Sequence, residues 1–476
     1  MPKKSATRLI LIAGLLSAVI LVAKFQSKYL DLQTSFLPTH HFKDGPYGQA
    51  PINAGESETT CAPGSEAWSH CRDGQPADED GGRPGFDEKT SQTHHIIYST
   101  SNPDREYFRV DFGTRSVMNP SIIPHPELID TWIISAQLQK PPSARMASVW
   151  FAELVCNAVF SEDKRVLRCL EPPLQLPIPA TFGDSSKCVG DLSYFSLSVG
   201  PHDARVFYGP EIPYTIYGSN SFFTCFGQWI SDFRILVDWG IDTIHEHEFR
   251  QPRELQRPMP WNAVEKNWFI FWDDFGQMFI HHDITPVRVF SKLEVDGTIG
   301  PNLALVTASS DQACLNKFLP QSTSPTERIH QATNSLAITL CARSDQSCQP
   351  DATNTFVLFI IQQKRMQGLH PVYEPYVVLT RRSMPYEIHA VSSKPIWIFG
   401  RKIRADKSDA SSSKSLSEDS EMLYVTSISW KTHGQKYHGY IDDALFLAFG
   451  REDSAAGGID VTGSDLLVEL GICAGI

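Results

Sequence analysis

The sequence predicts an all-β fold, on three observations. The chain carries 32 Pro, 30 Gly, 27 Phe, 14 Tyr and 10 Trp among 476 residues. Pro and Gly punctuate short elements, and large aromatic side chains fit a pleated, half-buried surface. From Ile96 onward short apolar runs recur, among them TWIISAQL, PYTIYG, NWFIFW, TFVLFIIQQ, PIWIFG and ALFLAFG, each bounded by Pro, Gly, Asp or Ser. No long amphipathic helical pattern interrupts them, which argues against a Rossmann-type glycosyltransferase. The net charge of -12, from 42 Lys and Arg against 54 Asp and Glu, excludes the positive field that a nucleic-acid partner requires.

The first element is a membrane-targeting segment. Lys3, Lys4 and Arg8 precede an uncharged run from Leu9 to Ala23, and Lys24 and Lys28 close it. At 1.5 Å rise per residue the run covers about 22 Å, short of the roughly 30 Å hydrocarbon core, and Phe25 and snorkelling lysines extend its reach. A cleavable signal peptide is the competing reading. Leu21, Val22 and Ala23 lack the small-x-small pattern that a signal peptidase prefers, so an uncleaved anchor is expected. The positive-inside rule then puts residues 1–8 in the cytosol and the rest in the ER or Golgi lumen, a single-pass type II topology. Ten cysteines, an even set, agree with an oxidising compartment. Cys61 with Cys71, Cys156 with Cys169, and Cys341 with Cys348 are the pairings that close the shortest loops.

Residues 24–95 are poor in aliphatic side chains and rich in Pro, Gly, Ser and acids, a composition expected of a disordered stem. The head then spans 96–476. Its strand density fits five four-stranded blades of about 75 residues each, a five-bladed β-propeller, better than a sandwich of about 100 residues. A polar insert from Lys407 to Glu421 reads as a surface loop between two strands.

Four segments concentrate charged and aromatic side chains beside strands. In GPHDARVF, Asp203 and Arg205 are two apart and share a face of an extended chain, as a general acid with an orienting cation or as an ordinary edge ion pair. In VEKNWFIFWDDFGQMFIHHDITP, Lys266 precedes a strand, Asp273 to Gly276 turn the chain, and His281, His282 and Asp283 close the return. Adjacent residues face opposite sides of a strand, so this His-His-Asp run is a poor metal site; His245 and His247 share a face but lack a third ligand. No metal and no cofactor are expected. The third segment, FVLFIIQQKRMQGLHPVYEPYVVLT, ends in a polar cluster, and so does HGYIDDALFLAFGREDS, where Asp442, Asp443 and Asp453 read as turn caps or as site acids. No G-x-S-x-G elbow, Walker loop or G-x-G-x-x-G is present.

In this order, from Asn119 to Leu467, the segments resemble the five-bladed glycosidase and phosphorylase superfamily, in particular glycoside hydrolase family 130 and related fungal β-mannosyltransferases. His202-Asp203-Ala204-Arg205 before PYTIYGS is similar to that family's acid motif, which implies Asp203 as general acid. Lys266 through His282 is similar to its lysine strand and hairpin, AFGREDS to its terminal strand with Asp453 near the sugar, and Asn119-Pro120-Ser121 to the start of its first blade. The resemblance implies that Arg205, Lys266, His281, His282 and Asp453 line the sugar and leaving-group subsites. His202 and Ala204 depart from the motif's Glu and Pro, and His282 stands where an Arg is expected. Ile361-Gln362-Gln363 replaces a phosphate-binding Tyr-His-Gly, which argues against phosphorolysis.

The reading that follows is a secretory-pathway enzyme acting on β-mannosides or related glycans, by mannosyl transfer or hydrolysis, with Asp203 as acid or base. Its partners would be a glycan acceptor and an activated mannose donor. Two alternatives stand beside it: a noncatalytic lectin-like propeller, and a sucrose- or arabinan-type hydrolase that uses Asp111 and Asp283 as further acids.

Overall fold

The computed structural model describes residues 88–140, 150–237, 248–321, 327–367, 370–403 and 420–473. Leu9–Ala23, the Cys61 and Cys71 pair, His245, His247 and most of the polar insert lie outside them. Among the described residues no helix is long and apolar enough to cross a membrane.

These residues are mostly β and form five consecutive antiparallel meanders. The first runs Val117–Pro124, Trp132–Leu138, Glu153–Phe160 and Val166–Cys169. The second is His202–Tyr208, Pro213–Asn220, Phe226–Asp232 and Arg253–Glu254. Phe269–Trp272, Met278–Asp283 and Val289–Lys292 make the third. The fourth has a broken inner strand, Arg328–Gln331 and Leu336–Thr339, followed by Thr355–Gln367, His370–Arg381 and Ile388–Ser392. Leu423–Trp430, Ala444–Arg451 and Ala455–Thr462 form the fifth.

The apolar runs lack a clean alternation because each meander is covered on both faces; Phe226–Asp232, for example, is buried at every position. Five large apolar clusters fill five interfaces. Ile123, Ile133 and Val206 lie between the first and second meanders. Ile216, Ile230 and Ile270 lie between the second and third, and Phe271, Phe290 and Phe359 between the third and fourth. Leu358, Val377 and Leu447 join the fourth to the fifth, and Phe446 packs with Ile122, Trp132 and Ile134 between the fifth and the first. The arrangement is therefore a propeller-like ring.

The two ends of the head close it. Phe108–Asp111 pairs antiparallel with Ala455–Thr462 and parallel with Val166–Cys169, so the earliest of these strands completes the last meander and joins it to the first. Asp460, fully buried, clasps the join: it accepts from the hydroxyls of Ser99 (2.5 Å), Thr100 (2.6 Å) and Ser101 (2.6 Å) and pairs with Lys431 at 2.6 Å. The folded head also reaches back beyond Ile96 into the segment assigned to the stem. Helix Glu88–Thr93 and strand His95–Ile97 precede that boundary, and buried His94 hydrogen-bonds Glu374 at 3.2 Å.

Cys156–Cys169 and Cys341–Cys348 are the expected short-loop disulfides. Cys188–Cys225 and Cys314–Cys473 are further pairs, the last across 159 residues, which no loop-length argument selects. Packing sets it: helix Ala308–Phe318 lies beside Ile388–Ser392, the strand on which the chain end docks.

Burial pushes the Asp460 carboxyl up, but the Lys431 ammonium and the hydroxyls of Ser101 and Ser99 outweigh it and hold the pKa at about 2. A depressed carboxylate contributes stability that is present above its unfolded value and lost as pH falls through its folded value. Asp460→Asn is expected to cost about 2 kcal/mol at neutral pH and to flatten the loss of stability between about pH 4 and pH 2. Urea unfolding across that range checks it; parallel acid limbs in the two proteins would rule out the clasp.

Candidate active site

The inner strands of the meanders splay around an axis and cannot ladder with one another, so side chains join them. Ser121 Oγ accepts from the Val206 amide (3.1 Å), Arg205 Nη2 donates to Asn267 Oδ1 (2.6 Å), and Ser335 Oγ donates to the Ile270 carbonyl (2.7 Å). Asn334 exchanges two bonds with the Ile428 backbone, and Thr426 Oγ1 donates to the Pro120 carbonyl at 2.6 Å. These contacts run from the first strand round to the first again.

Three of the inner strands are interrupted where they reach the axis. Register shifts fall between Met118 and Ser121, between His202 and Arg205, and between Val425 and Ser427. Bulges re-aim side chains. Here they turn Asn119, Asp203 and Thr426 into one cavity of about 290 Å³, which Arg205, Lys266, Asn267, His330, Tyr373, Tyr424 and Asp453 also line. Asn119, Asp203, Asn267 and Asp453 all have left-handed backbone, with φ of 55°, 51°, 63° and 48°. Such conformations cost of order 1–3 kcal/mol each and persist where the surroundings over-determine them. Gly450 makes room for this: a Cβ there would stand 2.5 Å from Asn119 Oδ1.

Asp203 is held from three sides. Asn119 Nδ2 donates to its Oδ1 at 2.7 Å, and its own amide donates to Gln137 Oε1 at 2.8 Å. The next amide, of Ala204, donates to Glu153 Oε1 at 3.0 Å. Gln137 and Glu153 are cross-strand partners, so adjacent side chains of the first meander clamp the Asp203–Ala204 peptide. Glu153 is fully buried; burial raises its pKa well above the ordinary range, against the Ala204 hydrogen bond and helped by the Asp203 charge. Asp453, on the far side, is also raised, by partial burial and then by the charges of Asp203 and Glu452, against Lys364. Burial likewise raises the Tyr373 and Tyr424 phenols, whose rings meet edge to face at 4.8 Å. His330 is lowered to about 4 by burial and by the Lys364 and Arg328 charges, so it is neutral at physiological pH.

Asp203, Arg205, Lys266 and Asp453, from three different segments, come together in this cavity. Arg205 bonds Asn267 rather than forming the edge ion pair that its spacing from Asp203 allows. His281 is not brought to the cavity. It is 1% exposed, stacks on Phe269 at 4.8 Å and hydrogen-bonds Gln331 and Arg288, because its position on Met278–Asp283 faces the core between the third and fourth meanders. His282 points the other way and is equally buried, its ring edge-on to Trp268 at 4.6 Å and its Nε2 donating to the Gln256 carbonyl (2.9 Å), with its pKa lowered to about 3 by burial; it is not brought to the cavity either. Asp111 caps Gly113 at an outer edge, and Asp283 pairs with Arg257, so these acids do not converge with Asp203. Asp442 and Asp443 serve the 343–344 turn and Arg343. Among the described residues no group of three or more His, Cys, Asp and Glu gathers as a metal site.

Asn267, His330, Tyr373, Tyr424 and Thr426 complete the cavity and were not singled out from the sequence. Asn267 carried a usable signal: Asn tolerates a left-handed conformation, and it lies next to Lys266 just before a strand.

No family model matches the chain, and no curated protein matches it. Among solved structures it is similar to β-1,2-mannobiose phosphorylase from Listeria innocua, with TM-score 0.39, 9% identity and coverage of 75% of this chain and 92% of that one. It is also similar to a GDP-mannose-dependent mannosyltransferase from Leishmania mexicana (TM-score 0.38, 9% identity, 75% and 88% covered). A third is an α-L-arabinofuranosidase from Lactobacillus brevis (TM-score 0.35, 9% identity, 73% and 90% covered).

A carboxyl whose folded pKa is raised contributes stability that is present below its unfolded value and lost as pH rises. Glu153→Gln keeps an oxygen for the Ala204 amide and removes the ionisation. The variant is expected to match the wild type in stability near pH 4 and to exceed it at pH 8, read by urea unfolding. A variant less stable at both pH values would show that Glu153 is held as a needed carboxylate.

Proposed function

We propose that this chain is a carbohydrate-active enzyme whose five meanders are the blades of a five-bladed β-propeller. It acts on β-mannosides or related glycans by mannosyl transfer or glycoside hydrolysis. The observation that carries the reading is Asp203: a carboxylate on a bulged inner strand, clamped through its backbone, bonded by Asn119 and facing a second carboxyl at Asp453. Positioned paired acids are what glycosidic chemistry needs.

In the transfer direction, Asp203 takes the proton of an acceptor hydroxyl as its oxygen bonds to the anomeric carbon, and the leaving group departs with the electron pair of the broken C–O bond. In hydrolysis the protonated Asp203 gives its proton to the glycosidic oxygen as the C–O bond breaks, water bonds to the anomeric carbon in its place, and the proton that water loses returns to the Asp203 carboxylate. Arg205, held by Asn267, and Lys266 supply positive charge toward the leaving side. Gln362 argues against phosphorolysis: both ends of its amide bond the Val425 backbone, so it holds the fifth inner strand rather than an anion.

The same reading keeps the enzyme on an ER or Golgi membrane as a type II protein through Leu9–Ala23, with an oligosaccharide acceptor and an activated mannose donor as partners. Four disulfides in the head support an oxidising lumen.

The test incubates the protein with mannose 1-phosphate, nucleotide-linked mannose and mannan oligosaccharides, with products read by mass spectrometry. Asp203→Asn is expected to reduce turnover by about 10²–10⁴-fold with thermal unfolding unchanged. Full activity in that variant overturns the role, and glycan binding without turnover of any donor assigns the chain to the lectin-like class.

A further inference from the structure

Beside the axial cavity lies a larger cleft of about 780 Å³, between the third and fourth meanders. Lys266, Asn267 and His330 line both spaces, so the two meet along that edge. One wall is helix Ala308–Phe318 and the residue after it: Gln312, Leu315, Asn316 and Leu319 follow the i, i+3, i+4, i+7 spacing of a single helical face.

This wall is firmly pinned from behind. Asp311, buried, accepts from Arg288 (2.9 Å), Thr307 Oγ1 (2.7 Å) and the Ile388 amide (2.8 Å), and the Cys314–Cys473 disulfide ties the same turn to the chain end. A rigid element offers a binding face at little ordering cost.

The helix face of the cleft has the chemistry of a site for a hydroxyl-rich ligand. Of the cleft's three acids, Glu265 and Asp283 are both occupied by buried Arg257, and Glu327 adjoins Arg328 in the sequence. Gln312 and Asn316, on the exposed face of the helix, offer amide groups that donate and accept, as ring hydroxyls require. Leu315, Leu319 and Ile284 lie buried behind this face and hold it to the core. The axial cavity is at the small end of ligand pockets, whereas the cleft is well within their range of about 300–1,000 Å³.

We infer that the helix-walled cleft is an extended subsite for the glycan chain beyond the reacting sugar, so that the protein selects oligosaccharides over short mannosides. This rests on the glycan reading of the axial cavity. The extended chain would run from Asp203 past Lys266 and His330 and along the Gln312–Asn316 face.

The test measures affinity for a β-linked mannobiose and a mannohexaose by calorimetry, with wild type and the double variant Gln312→Ala, Asn316→Ala. These two side chains bond each other at 2.9 Å on the cleft face while Asp311 and Cys314 hold the helix, so the fold should tolerate their loss; unchanged thermal unfolding verifies it. Wild type is expected to bind the hexaose more tightly, and the variant to lose about tenfold for the hexaose alone, as two hydrogen bonds of about 0.5–1.5 kcal/mol each imply. Equal affinity for both lengths in the wild type, or an equal loss for both in the variant, overturns the subsite while leaving the axial reading intact. Binding of neither length overturns the glycan reading and the subsite with it.

Discussion

Closure of the ring is the constraint from which the remainder of the molecule follows. Each meander is buried on both faces, so none has a solvent side to fall back on, and the apolar cluster between the fifth and first meanders is as necessary as the other four. The two strands that make the join come from opposite ends of the head. Asp460 works within this join: a carboxylate with an ammonium and three hydroxyls is well paired, and its burial is tolerable because every oxygen is occupied.

A closed ring also creates the site. Inner strands that diverge around an axis leave their backbone groups facing one another without a ladder, and Ser121, Arg205, Asn334, Ser335 and Thr426 supply the missing bonds. The strands bulge at the same places, and the bulged residues are the ones that face inward. Left-handed backbone at Asn119, Asp203, Asn267 and Asp453 thus lines the axial cavity. Electrostatics follow from the same crowding. Glu153, bonded to the Ala204 amide, and Asp453, in the same cavity as Asp203, are both pushed toward the neutral form, while Asn119 donates to Asp203.

Much of this was legible in the sequence. Short aromatic and β-branched runs between Pro, Gly and Asp identify strands because those residues act locally. The Asp203, Arg205, Lys266 and Asp453 set was legible because charged residues beside apolar strands stand out, and their order along the chain resembles a known one. The remainder depends on contacts distant in sequence. His281 and His282 look like site residues as a pair, and only the packing of the third meander against both neighbours decides that each is buried, one on Phe269 and the other on Trp268. The Cys314–Cys473 pairing, the burial of Glu153 and the convergence of Tyr373 with Tyr424 are likewise products of tertiary placement. Strand bulges have no strong local signature, so the residues that they redirect were visible only by type.

The join between Phe108–Asp111 and Ala455–Thr462 sets an order of events during biosynthesis. A ribosome delivers the first of these strands more than three hundred residues before its partner, so the edge that faces Ala455–Thr462 waits until that strand emerges. Until the late segment emerges, Asp203 sits on an open stack of sheets with no axis to face. The complete axial cavity would therefore form only once that strand is in place, and a chain cut short before Ala455 would lose the closure of the ring instead of a single margin.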